Sequence, residues 1–165
     1  PATLTIQGAN EIKIDDVLVG EVWVCSGQSN MQWPISASWN ADLTRYAADH
    51  PRIRLLTVEN AGLQKPMQDF EGSWQVCTSE TVNQFSAVGY FFGLRLHQIL
   101  DIPIGLIDNS WGGSACEAWI SRFQLEAEND LFEPILRHWD DLAELSENKE
   151  PYDDLKPNCF NGNRN

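Results

Sequence analysis

Residues Phe85 to Ile107 read FSAVGYFFGLRLHQILDIPIGLI. In the first part Phe85, Val88, Phe92, Leu96 and Ile99 recur at three- and four-residue steps, which predicts an amphipathic helix over residues 84–100. Gly89 and Gly93 lie one turn apart on it. Glycine in a helix costs about 1 kcal/mol relative to alanine, so the expected return is close approach of the helix backbone to a sheet or a functional edge. Asp101-Ile102-Pro103 then stops the helix, and Ile104-Gly105-Leu106-Ile107 reads as a buried strand. Upstream, VGEVWV (Val19 to Val24) is a short β-branched and aromatic run ended by Ser26-Gly27, predicted as a buried strand, and RIRLLTV (Arg52 to Val58) is a second. Strand, helix, strand in that order implies an α/β fold with a parallel sheet and crossover helices.

Between these elements, residues 59–83 carry Gly62, Pro66 and Gly72 and read as a long loop with a short strand near Trp74-Gln75-Val76. Residues 1–18 alternate loosely around Gly8-Ala9-Asn10, which predicts a hairpin, read as the tail of a preceding β region; residues 19–165 are the main domain. After Ile120 the chain turns acidic. Eleven of its 24 carboxylates fall between Glu126 and Asp154, opposed by Arg137 and Lys149, with Leu125, Phe132, Leu136, Trp139, Leu142 and Leu145 interleaved. That pattern is a solvated helical face with one apolar stripe.

The 165 residues suit one domain with a real core, and the formal charge of −13 repels phosphate backbones and anionic lipid, so neither nucleic acid nor membrane is an expected partner. No apolar run reaches the roughly 20 residues of a membrane span, and the first residues, PATLTIQG, lack the build of a signal peptide. Any export signal is therefore expected outside the chain. Cys25, Cys77, Cys116 and Cys159 match no metal spacing; free or structural thiols are preferred over bridges.

In open parallel sheets, ligands sit beyond the carboxyl ends of the strands. Two loops fit that place: Ser26-Gly27-Gln28-Ser29-Asn30, and Asn109-Ser110-Trp111-Gly112-Gly113-Ser114. A serine hydroxyl becomes a useful nucleophile when it is exposed on a tight turn beside a base and near N–H donors for an oxyanion. Gly27 frees the turn, Ser29 offers the hydroxyl and one amide, and Gly112-Gly113 offer a second donor without side chains in the way. By composition alone, short loops of this kind are mostly ordinary turns.

GQSNMQW (Gly27 to Trp33), FSAVGYFFG (Phe85 to Gly93) and IPIGLIDNSWGGSACEAW (Ile102 to Trp119), in that order, resemble the sialate O-acetylesterase family of carbohydrate esterases, a branch of the SGNH hydrolases. The resemblance implies a flavodoxin-like three-layer α/β/α fold, incomplete on its C-terminal side. It implies Ser29 as nucleophile and an oxyanion hole from Ser29 with Gly112 and Gly113. Gln28, Asn30, Trp33 and Glu117 match positions around the pocket. The implied activity is hydrolysis of acetyl esters on sialic acid or related sugars through an acyl-enzyme, with no metal or organic cofactor, in a secreted or periplasmic protein. Trp23, Trp33, Trp111 and Trp119 lie in or beside these motifs and suit stacking on sugar rings, although a tryptophan on a buried strand, as Trp23 is read here, is more often core.

The family's mechanism also needs a histidine, usually with an aspartate in a D-x-x-H segment, which this chain lacks. Its three histidines are His50 at a loop-to-strand junction, His97 within the predicted helix, and His138 on the acidic segment, where Asp140 and Asp141 have the wrong helical spacing to orient an imidazole. PNCFNGNRN resembles the start of the family's next segment, so the expectation is a chain that stops before its base, with the His/Asp supplied by a following segment or by a second chain. A catalytically inactive carbohydrate-binding module is the alternative, and an acidic adaptor presenting residues 125–154 is a third.

Overall fold

The computed structural model describes residues 1–61 and 69–147. The chain divides into two compact units, one ending at Ser114 and the other starting at Ala115. The first unit opens with β1 (Ala2–Gln7) and β2 (Glu11–Val17), an antiparallel hairpin in register Leu4↔Ile14 and Ile6↔Ile12. Asp16, at the end of that hairpin, accepts from Arg54 at 2.9 Å on both carboxylate oxygens, which ties the hairpin to the main sheet.

That sheet has four strands, β3 (Glu21–Gly27), β4 (His50–Thr57), β5 (Gln75–Cys77) and β6 (Ile104–Ser110), in the order β3-β6-β4-β5. β3, β6 and β4 are parallel, and β5 closes the edge antiparallel to β4. Three helices accompany it: α1 (Ser29–Gln32), α2 (Ala41–Ala47) and α3 (Ala87–Leu100). This is the expected α/β class, with α3 as the crossover that returns the chain to the centre of the sheet.

α3 rides on the sheet through its small residues. A Cβ on Gly93 would stand 2.6 Å from Leu106 Cδ1, and one on Gly89 would stand 2.8 Å from Cys25 Sγ, so the predicted close approach is present at both glycines. The predicted face, however, needs correction. Ala87, Gly89, Tyr90 and Gly93 are buried, whereas Val88, Phe92 and Ile99 are exposed. Large apolar side chains set the periodicity, but a helix packed at glycine distance turns its small residues inward. It also starts later than expected, because Ser86 is its cap: the Ser86 Oγ accepts from the Gly89 amide at 3.0 Å.

The expectation that residues 19–24 form a buried strand is likewise corrected. β3 is the edge of the sheet, and Val22 and Val24 are 59% and 62% exposed on the side away from Cys25. Apolar composition reports what a strand can pack against, and α3 covers only the Cys25 side. The core gathers Tyr90, Ile35, Ile53, Cys77, Val82, Ile104 and Leu106. Cys25, Cys77 and Cys116 are free thiols.

In the second unit a 3₁₀ turn (Cys116–Trp119) precedes α4 (Arg122–Ala127) and α5 (Asn129–Glu147). Leu125 and Leu136 are buried, and Phe132, Trp139 and Leu142 are half-buried, which is the expected apolar stripe. Residues 148–154, the PNCFNGNRN segment with Cys159, and Gly62 and Pro66 lie outside the described residues. Among the described residues no helix is long and apolar enough to cross a membrane.

Candidate active site

The two loops singled out in the sequence meet because β3 and β6 end at one level. Gly27 pairs with Ser110 at the last position of the parallel register, and the Trp111 amide donates to the Gly27 carbonyl at 2.9 Å. Gly27 has φ of 140°, which turns the chain out of the strand at a conformation that side chains resist. Gln28 then caps α1, its carbonyl accepting from the amides of Met31 and Gln32 at 2.9 and 3.0 Å. Ser29, the first helical residue, is exposed at the carboxyl rim of the sheet.

Gly112 lies directly against it. A Cβ there would stand 3.4 Å from Ser29 Cα and 3.5 Å from Ser29 Oγ. Ser29, Gln32, Trp33, Pro34, Gln84 and Gly112 line a cleft of about 440 Å³, a size suited to a small ligand. Trp33 is fixed in that wall by its indole N–H, which donates to the Ala37 carbonyl at 2.9 Å. On the other side of the rim the Gln28 Nε2 donates to the Ser114 carbonyl at 3.3 Å, and the Ser114 Oγ donates to the Trp111 carbonyl at 2.7 Å. Asn30 is exposed on α1, and Gly113, with φ of 80°, has open space where a Cβ would stand. Glu117 belongs to the second unit, half-buried on its 3₁₀ turn.

Two residues that sequence reasoning left without a role shape this rim. Gln32 sits three residues after Ser29, on the same face of α1, and its Oε1 accepts from the Gly112 amide at 2.7 Å. The Gly112 N–H, expected to face an oxyanion, is therefore engaged by a side chain. Asp108, at 5% exposure, lies in an adjoining hollow of about 220 Å³ that shares Gln32 and Gln84 with the cleft. Burial pushes its carboxyl above the usual carboxylate range, against the pull of the Ser110 hydroxyl, which donates to it at 2.5 Å, and of the Ser86 and Ser110 amides. The signal for Asp108 was the alternation Ile104, Leu106, Asp108, Ser110, which continues the strand's buried face past Ile107.

The histidines fall elsewhere. His50 opens β4 and His97 lies in the last turn of α3, so both sit at the amino end of the sheet, roughly 20 Å from the rim for strands of this length at about 3.3 Å per residue. The His97 ring is bonded through Nδ1 to the Ile102 carbonyl at 2.7 Å, and burial, with His97 nearby, lowers the His50 pKa. His138 lies on α5. Its neighbour Asp140 is engaged by Arg122 through two bonds of 2.7 and 3.0 Å, which hold that carboxyl below its usual range.

The model of a family described as carbohydrate esterase, sialic acid-specific acetylesterase, matches residues 19–148. Sialate O-acetylesterases of Homo sapiens and Pongo abelii are each 39% identical over 126 residues, which is 70% of this chain and 24% of theirs. A crystal structure of a carbohydrate acetylesterase from Xanthomonas citri superposes with a TM-score of 0.72 at 36% identity, over 76% of this chain and 29% of that one. The chain thus spans about a quarter of the length of the curated relatives it matches.

Proposed function

Because the chain belongs to the carbohydrate esterase family of sialic acid-specific acetylesterases, we propose that the cleft at Ser29 removes acetyl groups from carbohydrate hydroxyls by serine acyl transfer. The observation that carries this reading is the 3.5 Å approach of the Gly112 Cβ position to Ser29 Oγ, with both residues lining one cleft at the rim of the sheet. The Ser29 oxygen attacks the acetyl carbonyl carbon, its proton passes to a base, and the carbonyl electron pair moves onto oxygen. The Ser29 amide and donors on the Gly112 side stabilise that oxyanion, as in other acyl transfers. Collapse expels the sugar alkoxide, which takes the proton and leaves Ser29 acetylated. Water then adds, and acetate departs.

The base is an imidazole from outside the first unit, supplied by residues that follow or by a second chain. His50 and His97 are at the wrong end of the sheet for the task. Trp33 lines the cleft and is exposed, which suits stacking on a pyranose face, with Trp111, next to Gly112 in sequence, as a second aromatic candidate and Gln28 and Asn30 as polar contacts. Sialic acid is the first substrate candidate and an acetylated plant polysaccharide the second.

Acetate release from O-acetylated sialic acid and from O-acetylated xylan, with and without added imidazole, tests the reading. Expected is release that Ser29→Ala reduces to the background rate. Release unchanged in Ser29→Ala would refute it. Sugar binding with no release under either condition would favour the non-catalytic binding module, a reading supported by the position of His50 and His97, away from the rim of the first unit.

A further inference from the structure

We propose that Gln32 is an oxyanion-hole residue: its side-chain Nε2, and not the Gly112 amide, donates to the oxygen that becomes negative when Ser29 is acylated. The inference rests on the reading of Ser29 as nucleophile and goes beyond it.

The 2.7 Å bond from the Gly112 N–H to the Gln32 Oε1 has two consequences. It occupies the Gly112 N–H, the donor of the glycine bend that lies against Ser29. It also fixes the amide group of Gln32, because only the oxygen end can accept from an N–H, so the nitrogen end is the one left for the cleft. Gln32 and Ser29 share one face of α1 and line the same cleft. The point where a Gly112 Cβ would stand is 2.7 Å from Gln32 Oε1 and 3.5 Å from Ser29 Oγ, so the carboxamide and the hydroxyl flank the same spot. Among the described residues the Oε1 has its partner in the Gly112 N–H. A donor held by its own carbonyl needs little reorganisation as charge develops, which is the property an oxyanion site requires.

Two other roles for Gln32 are distinguishable. It could merely hold the Gly112 loop in place, or it could plug the Gly112 amide and have to leave before reaction. The substitutions Gln32→Glu and Gln32→Met separate these: a carboxylate still accepts from Gly112 but donates nothing, and a thioether of similar length donates nothing and accepts only weakly.

The experiment measures the rate at which a fluorophosphonate labels Ser29, read by peptide mass spectrometry, in the native chain, Gln32→Glu and Gln32→Met. Imidazole is added as external base so that the outcome does not depend on where the natural base resides. The tetrahedral phosphonate places an oxygen where the oxyanion forms. A donor role predicts labelling about 100-fold slower in both variants, the loss typical of one oxyanion donor, with the concentration of reagent giving half-maximal rate little changed. A native rate in Gln32→Glu with a slow Gln32→Met would make Gln32 a positioning residue and overturn the proposal. Faster labelling of Gln32→Met would make it a plug and also overturn it. No labelling of Ser29 in the native chain would remove both this inference and the esterase reading, while any of the earlier outcomes leaves the esterase reading standing. Circular dichroism of each variant confirms that the labelled protein is folded.

Discussion

The Trp111 amide donates to the Gly27 carbonyl at 2.9 Å, one residue beyond the last pair of the parallel β3–β6 register. That bond forces the turn after β3 and the glycine bend after β6 to leave the sheet side by side, and it is why Gly112 lies against Ser29. Gly112→Ala would place a methyl group 2.7 Å from Gln32 Oε1 and 3.4 Å from Ser29 Cα. The loop must shift, and displacement of reacting groups by about 1 Å costs roughly 100-fold in rate. We expect Ser29 labelling or acetate release to fall by that factor, with the thermal midpoint little changed, since Gly112 lies at the rim and not in the core.

Gly93 makes the converse case, in which stability changes and chemistry does not. An alanine there gains about 1 kcal/mol of helix propensity but sets its methyl 2.6 Å from Leu106 Cδ1 in the buried interface of α3 with β6. Overpacking of this kind costs about 1–3 kcal/mol. Urea denaturation of Gly93→Ala is expected to show net destabilisation; a stabilised variant would mean that α3 stands further from the sheet.

The buried carboxyl of Asp108 gives a pH signature. Its pKa is raised in the folded state, first by burial. The native protein therefore keeps the proton after the unfolded chain has lost it. Stability from this group is full below the ordinary carboxylate pKa of about 3.9 and declines as pH rises from there through the higher folded value. Asp108→Asn removes that decline. The difference in urea midpoint between Asp108→Asn and the native chain should move in favour of the variant as pH rises above about 4. Parallel profiles would contradict the assignment.

Thiol chemistry follows burial. Cys116 is exposed, whereas Cys25 and Cys77 are buried, with the Cys77 thiol pushed up to about 12, chiefly by burial and further by Asp49. The thiolate is the reactive form. Peptide mapping after brief iodoacetamide treatment should find Cys116 alkylated and Cys25 and Cys77 unmodified until the protein is unfolded.

The elements that define the sheet were legible because each strand is short, rich in β-branched or aliphatic residues and bounded on at least one side by glycine, proline or serine. The two rim loops were legible because they follow such strands. What was not legible depended on a second layer of information. The inward face of α3 could not be read from Phe92 or Ile99, because contact distance there is set by Gly89 and Gly93. Val22 and Val24 read as buried because composition does not reveal that β3 is an edge strand. Gln32 stood within the quoted motif, but its bond to Gly112 spans 80 residues and exists only once β3 and β6 are in register. The predicted strand stops at Ile107 because a carboxylate ends the apolar run, whereas the Ser110 hydroxyl and the Ser86 and Ser110 amides allow the strand to continue through Asp108.

The proposed chemistry turns on the Ser29 hydroxyl as the atom that carries the acetyl group between sugar and water. Rapid acid quenching of the protein during turnover of an O-acetylated sugar, with imidazole present, followed by peptide mass spectrometry, locates that group. The expected result is the mass of one acetyl on the peptide that contains Ser29, and its disappearance in Ser29→Ala. Acetate released while that peptide stays unmodified, or an acetyl group found on any other side chain, would contradict it.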